Sequence, residues 1–245
     1  MAGYDTAGLV QNVWGSAVQD EFGSPAFWIR YFSPCVYTPV NSSSANANME
    51  CDAVWTSGAQ HLGCVSTPSS LDGTGADGSA AAGTFGVAMR QVWQWVSPLQ
   101  LPANDMLYVW LDQDPGYNLS TKFWDGWAYR LDTWNFDDLG IYPYYPGLYC
   151  DPCNTTKNCS QLLSAIYPPV GIWSPDPQAA CGYTCQNTPA WAAVSCASSC
   201  SSGGSTPTIL WQFYIQYTCS TLDVDVSYGT PGFSYPSYCF YLNSE

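Results

Sequence analysis

Along the chain, short runs of apolar and aromatic residues alternate with longer stretches whose apolar residues recur every three or four positions. The short runs fall at Gly3–Thr6, Ala26–Phe32, His61–Thr67, Leu107–Asp114, Gly140–Tyr145, Val170–Trp173, Thr208–Tyr214 and Leu222–Ser227, and each reads as a strand. Ser79–Val96 carries Phe85, Met89, Val92, Trp93 and Val96 at helical spacing and predicts a helix. Ser120–Phe136 opens on Ser120 as an N-cap and gathers Phe123, Trp127, Leu131 and Trp134 on one side, which predicts a second. Ser160–Tyr167 is a shorter helical candidate. Strands alternating with helices define an α/β fold, and eight of them in 245 residues match a (β/α)8 TIM-type barrel. The later helices are poorly marked, so the second half is expected to be irregular. Residues 174–207 are mostly Pro, Ser, Gly and Cys and read as a disulfide-pinned insertion within a single domain spanning residues 1–245.

A doubly wound open sheet is the structural rival, and it would call for a phosphate-binding glycine turn. Gly73-Thr-Gly75-Ala-Asp-Gly78 has that spacing. Polar and turn-forming residues from Thr67 to Asp72 separate it from the preceding strand, and Asp72 and Asp77 would repel a pyrophosphate. The run is expected to be an exposed loop leading into a helix. It also lacks the spaced oxygen ligands of a calcium loop.

Composition narrows the partners. The formal charge is −14 from 19 acidic and 5 basic residues, a field that opposes nucleic acid and anionic membrane surfaces. No stretch of 18 apolar residues is present to span a membrane. The 12 cysteines include one CxxC (Cys150 and Cys153) beside a single histidine, whereas zinc sites repeat the CxxC pair or supply histidines. Disulfides that staple the loops are therefore expected, with connectivity open, and no metal or cofactor. Sequons at Asn41, Asn118, Asn154 and Asn158 fit a secreted, extracellular glycoprotein. Met1-Ala2-Gly3 leads directly into strand-like sequence without a basic, apolar leader, as in a mature or trimmed chain. The expected state is a monomer.

Aspartates collect where a barrel would place its chemistry, at the C-terminal ends of strands. Asp5 closes the first strand, Asp112 and Asp114 close the fourth, and Asp223 and Asp225 lie in the eighth. Spacing of two in a strand puts Asp112 and Asp114 on one face. Like charges that close raise at least one pKa, so one carboxyl can donate a proton while another stays ionised, the apparatus of glycoside hydrolysis. Each alone is an ordinary helix-cap or turn residue; the gathering on strands one, four and eight points to chemistry. Trp28, Trp110, Tyr142, Tyr144, Trp173 and Trp211 fall in or beside strands and could stack on sugar faces, though each alone is also ordinary core. Serine catalysis fares worse, because no GxSxG surrounds a serine and His61 begins a strand as a structural residue. Cysteines paired in an oxidising compartment are poor nucleophiles.

Gly3-Tyr4-Asp5-Thr6, Ile29-Arg30-Tyr31, the run from Gly75 to Ala82, Tyr108–Asp114, Leu210-Trp211-Gln212-Phe213 and Leu222-Asp223-Val224-Asp225 occur in an order that resembles the family 25 glycoside hydrolases, lysozyme-type muramidases. The order is closer still to the glycoside-hydrolase-like domain of unknown function 1906. The resemblance covers most of the chain in outline and leaves the cysteine-rich insertion without a counterpart. It implies a barrel that cleaves peptidoglycan glycan strands with an Asp on strand one, Asp-x-Glu on strand four and an Asp on strand eight. Carried over, these fall on Asp5, Asp112, Asp114 and Asp223, with Asp225 in support. Asp114 stands where the family has its Glu acid, and the shorter side chain sets a proton donor back by about 1.5 Å. The expected partner is thus a cell-wall polysaccharide substrate, cleaved with Asp114 as general acid and Asp112, Asp5 or Asp223 as base, nucleophile or electrostatic partner. A barrel that binds glycans without cleaving them is the alternative.

Overall fold

The computed structural model describes residues 2–6, 23–25, 27–32, 61–95, 107–113, 118–133, 144–150, 162, 165–175, 208–214, 225–229 and 240–241. Within them the elements run β1 (Ala2–Thr6), β2 (Phe27–Phe32), β3 (His61–Ser66), α1 (Gly75–Trp95), β4 (Leu107–Asp112), α2 (Thr121–Thr133), β5 (Tyr144–Tyr149), β6 (Gly171–Pro175), β7 (Thr208–Tyr214), β8 (Asp225–Gly229) and β9 (Phe240–Tyr241). The strands share one sheet ordered β2-β1-β8-β7-β6-β5-β4-β3-β9, and β2 also pairs with β3. The fold is α/β. From β1 to β7 every successive pair is parallel. Each of β1 to β8 is hydrogen-bonded along both edges.

The eighth strand departs from the expected alternation: β8 runs antiparallel to both β1 and β7. The cause is chain length. Only residues 215–224 separate β7 from β8, while a parallel return needs a crossover of roughly a dozen residues or more, usually a helix. The chain turns back instead.

The parallel strands are covered on both faces, as such sheets require. All five residues of β6 are buried. One face gathers Phe27, Ile29, Trp110, Tyr149, Trp173 and Leu210. Rings of this size need room on neighbouring strands. A Cβ on Gly3 would lie 2.4 Å from the Phe27 ring, and one on Gly147 would lie 2.5 Å from the Trp110 ring.

Both helices start on side-chain caps. Thr74 and Asp77 form a reciprocal capping box, with Thr74 N–H donating to Asp77 Oδ2 at 2.8 Å and Asp77 N–H to Thr74 Oγ1 at 3.3 Å. These hydrogen bonds from Thr74, backbone first and hydroxyl second, hold the Asp77 carboxyl below its ordinary pKa. The Ser120 hydroxyl accepts from Phe123 N–H at 3.0 Å and donates to the Gly73 carbonyl at 2.6 Å, while Ser120 N–H donates to the Leu71 carbonyl at 3.0 Å. One residue thus caps α2 and ties it to the approach to α1. Ser120→Ala is expected to cost about 1–2 kcal/mol, the upper part of the range for an N-cap, read as a lower urea midpoint with an unchanged slope.

Helix α1 begins four residues before the expected Ser79, so Gly75 and Gly78 lie within it and not in a loop. A Cβ on Gly78 would meet the Phe123 carbonyl oxygen at 1.9 Å, and one on Gly126 would meet the Gly75 oxygen at 1.9 Å. Of the glycines with phosphate-loop spacing, Gly75 and Gly78 serve a backbone-to-backbone helix crossing. Helix α2 buries Phe123, Trp124, Trp127, Ala128 and Leu131. Trp134 lies outside the described residues.

Two strands sit later than their patterns predict. β5 spans Tyr144–Tyr149, not Gly140–Tyr145, and β8 spans Asp225–Gly229, not Leu222–Ser227. Leu162 lies in a 3-10 turn and its carbonyl accepts from Ala165 N–H at 3.0 Å, and residues 165–167 form a bend where the end of a helix was expected. The expected disulfides fall almost wholly outside the described residues: of the cysteines, the backbone of Cys64 and a buried Cys150 are described. The expected insertion at 174–207 is outside them from residue 176 onward. No described helix is long and apolar enough to cross a membrane.

Candidate active site

Side chains on the Phe27–Trp173 face change character toward the C-terminal ends of the parallel strands. Asp5 on β1 and Gln212 on β7 are each 1% exposed, among the few polar groups buried in the described residues. Gln212 Nε2 donates to Asp5 Oδ1 at 3.1 Å and Oδ2 at 3.4 Å. The Tyr149 hydroxyl on β5 donates to Gln212 Oε1 at 2.7 Å. Alternate strands lie roughly 9.6 Å apart, so these bonds reach across β8 and β6 respectively. Burying a carboxylate is costly without such donors.

Aromatic rings support the chain of bonds. Tyr149 meets Trp173 edge to face with centroids 4.6 Å apart, and Trp173 meets Trp110 in the same way at 6.2 Å. Asp112, half-buried at the end of β4, is the register partner of Tyr149, which in turn is the partner of Trp173. Residues side by side on parallel strands share a face, so Asp112 belongs to the face that carries Asp5. Past it the chain is pinned where Gln113 N–H donates to the Tyr149 carbonyl at 3.0 Å.

Asp5 and Asp112 are therefore brought to the same strand ends. Asp114, Asp223 and Tyr142 lie outside the described residues. Asp225 opens β8 in direct register with Asp5. Because β8 is reversed, its beginning lies beside the end of β1, and an acid at the start of the strand takes the place expected for one at its end. Tyr144 opens β5, in register with Leu107. The tryptophans fall on two faces. Trp110 and Trp173 are on the Asp5 side, 1% and 0% exposed. Trp28 and Trp211 alternate to the other side and are fully buried, Trp28 edge-on to Tyr4 at 5.1 Å.

Gln212 and Tyr149 were not singled out by the sequence pattern. Gln212 lies inside the Leu210–Phe213 segment that carries the family resemblance, and an amide flanked by apolar residues at strand alternation was the available signal. Among the described residues no group of three or more His, Cys, Asp or Glu is placed to hold a metal ion.

Fold and strand-end carboxylates together define an α/β protein with a built polar site on its sheet. No protein-family model matches the chain, and no curated protein matches it. Solved structures do. An uncharacterised Bacillus stearothermophilus protein aligns over 94% of this chain and 96% of its own, with TM-score 0.62 and 19% identity. The Clostridium perfringens spore cortex lytic enzyme SleM aligns over 94% of this chain and 67% of its own, with TM-score 0.54 and 10% identity. The modular autolysin LytC of Streptococcus pneumoniae, solved with a synthetic peptidoglycan ligand, gives TM-score 0.46 at 12% identity over 92% of this chain and 46% of its own. At these identities the likeness is one of fold.

Proposed function

We propose that the protein is a secreted glycoside hydrolase that cleaves a cell-wall polysaccharide, peptidoglycan foremost, by carboxylate acid and base catalysis. The observation that carries this is Asp5, a buried carboxylate held by a donor at the same strand ends as Asp112. Carboxylates brought together at one site are the working parts of glycosidases. The fold likeness to a spore cortex lytic enzyme supports a cell-wall setting. Pairing of β1 to β8 along both edges supports a barrel with a reversed last strand. In this reading Asp114 is the general acid, and Asp112, Asp5 or a β8 acid supplies the base, nucleophile or electrostatic partner. The register with Asp5 favours Asp225 over Asp223 for that part. Of the aromatic candidates, Trp173 against the Tyr149 ring and Trp110 beside it line the face of this site, whereas Tyr144 opens β5 at the other end of the strand from Tyr149.

A non-catalytic glycan-binding role is the second reading, motivated by Asp114 in place of a glutamate. Purified protein incubated with peptidoglycan, chitin, and plant and fungal glycans separates the two. New reducing ends from at least one glycan are expected, with Asp114→Asn lowering the rate by about 10²–10⁴ at an unchanged melting temperature. Binding without cleavage of any glycan would establish the second reading. Full turnover by Asp114→Asn would remove Asp114 from the acid role.

A further inference from the structure

The hydrogen bonds around Asp5 have a direction. Tyr149 donates to Gln212 Oε1, so the other end of the amide, Nε2, faces the two oxygens of Asp5 at 3.1 and 3.4 Å. An amide nitrogen only donates. Spanning both carboxyl oxygens, it suits the ionised form, since a carboxylic acid would press its own O–H against a group unable to accept. The amide by itself has no preference. Turned over, it would offer Oε1 to Asp5 and suit the protonated acid. In the structure the Tyr149 hydroxyl donates to Oε1 at 2.7 Å and so holds the amide in the first orientation.

We infer that Gln212 and Tyr149 are positioning residues that hold Asp5 ionised. Asp5 is thereby cast as base, nucleophile or electrostatic partner, and the proton donor must be another carboxyl. The catalytic meaning of this assignment rests on the proposed hydrolase function; the charge state of Asp5 does not. Other charged or titratable positions on the neighbouring strands are Asp225 and Tyr228 on β8 and Arg30 and Tyr31 on β2, with Asp112 across the face. All are the same in the variants below, so a change between variants isolates the amide.

Carboxyl carbon NMR on the full chain with labelled aspartate reads the charge directly, Asp5→Asn assigning the signal. In Gln212→Met the Asp5 midpoint is expected to rise by about one pH unit or more, the worth of a hydrogen bond to a charged group. In Tyr149→Phe the amide is released to turn over and a smaller rise is expected. A midpoint unmoved in both variants would overturn the inference; if Gln212→Met does not fold, Tyr149→Phe decides alone. Glycan cleavage measured in parallel keeps the two claims apart. Midpoints that rise while wild-type protein cleaves no glycan sink the hydrolase and leave the positioning role standing. In an active enzyme the acid limb of the pH–rate profile must move up with the midpoint, and a stationary limb would overturn the catalytic part.

Discussion

Asp5→Asn is expected to abolish glycan cleavage, by a factor of about 10²–10⁴ or more, while the protein melts within a few degrees of the wild type. The substitution is nearly isosteric. Asn Oδ1 can still accept from Gln212 Nε2, so the bond that secures the buried end of β1 survives. What disappears is the negative charge. A purely structural Asp5 would show the opposite pattern, with melting lowered and turnover retained in the folded fraction. Reducing-end release and thermal unfolding, measured on the same preparation, distinguish these outcomes. Cleavage at the wild-type rate would remove Asp5 from the mechanism.

The largest effect on stability is expected at the helix crossing. Gly126→Ala puts a methyl 1.9 Å from the Gly75 carbonyl oxygen and 2.6 Å from its carbon. Backbone cannot rotate away like a side chain, so the helices must separate. Overpacking of this kind costs about 1–3 kcal/mol and more when backbone has to move, against a helix-propensity gain from Gly to Ala of only about 1 kcal/mol. Packing wins, and a lower urea midpoint or poor accumulation of folded protein should follow. Gly83→Ala is the control, because a Cβ there meets nothing within 4 Å. It should gain about 0.5–1 kcal/mol. Equal effects at the two positions would mean that the crossing is looser than its geometry implies.

The contrast between these glycines explains part of what the sequence could show. Spacing alone made Gly73, Gly75 and Gly78 resemble a phosphate loop, and only the apposition of Gly75 and Gly78 to Gly126 and Phe123 reveals what those two do. Helix α2 was legible because its signals are local: Ser120 caps it, and Phe123, Trp127 and Leu131 repeat at its period. β5 was misplaced because Pro146 and Gly147 look like turn residues. Within the sheet, Gly147 yields space to the Trp110 ring, and the Pro146 carbonyl accepts from Val170 N–H at 2.9 Å. That error hid Tyr149. The carboxylates at β1 and β4 were readable from strand-end placement, whereas the reversal of β8 depends on the length of the preceding connection. Gln212 escaped notice because its purpose lies in a partner far away in the chain.

That distance has a consequence for how the site comes into being. Asp5 and its amide donor are separated by 207 positions, and β1 has its second edge covered only when β8 arrives. Contacts of such long range form late, after the loop entropy between them has been overcome. During synthesis, residues 2–6 emerge first and wait for residues 208–229 to reach the sheet. A chain halted short of Gln212 would carry the carboxylate without the group that orients it, so an ordered Asp5 certifies a completed fold.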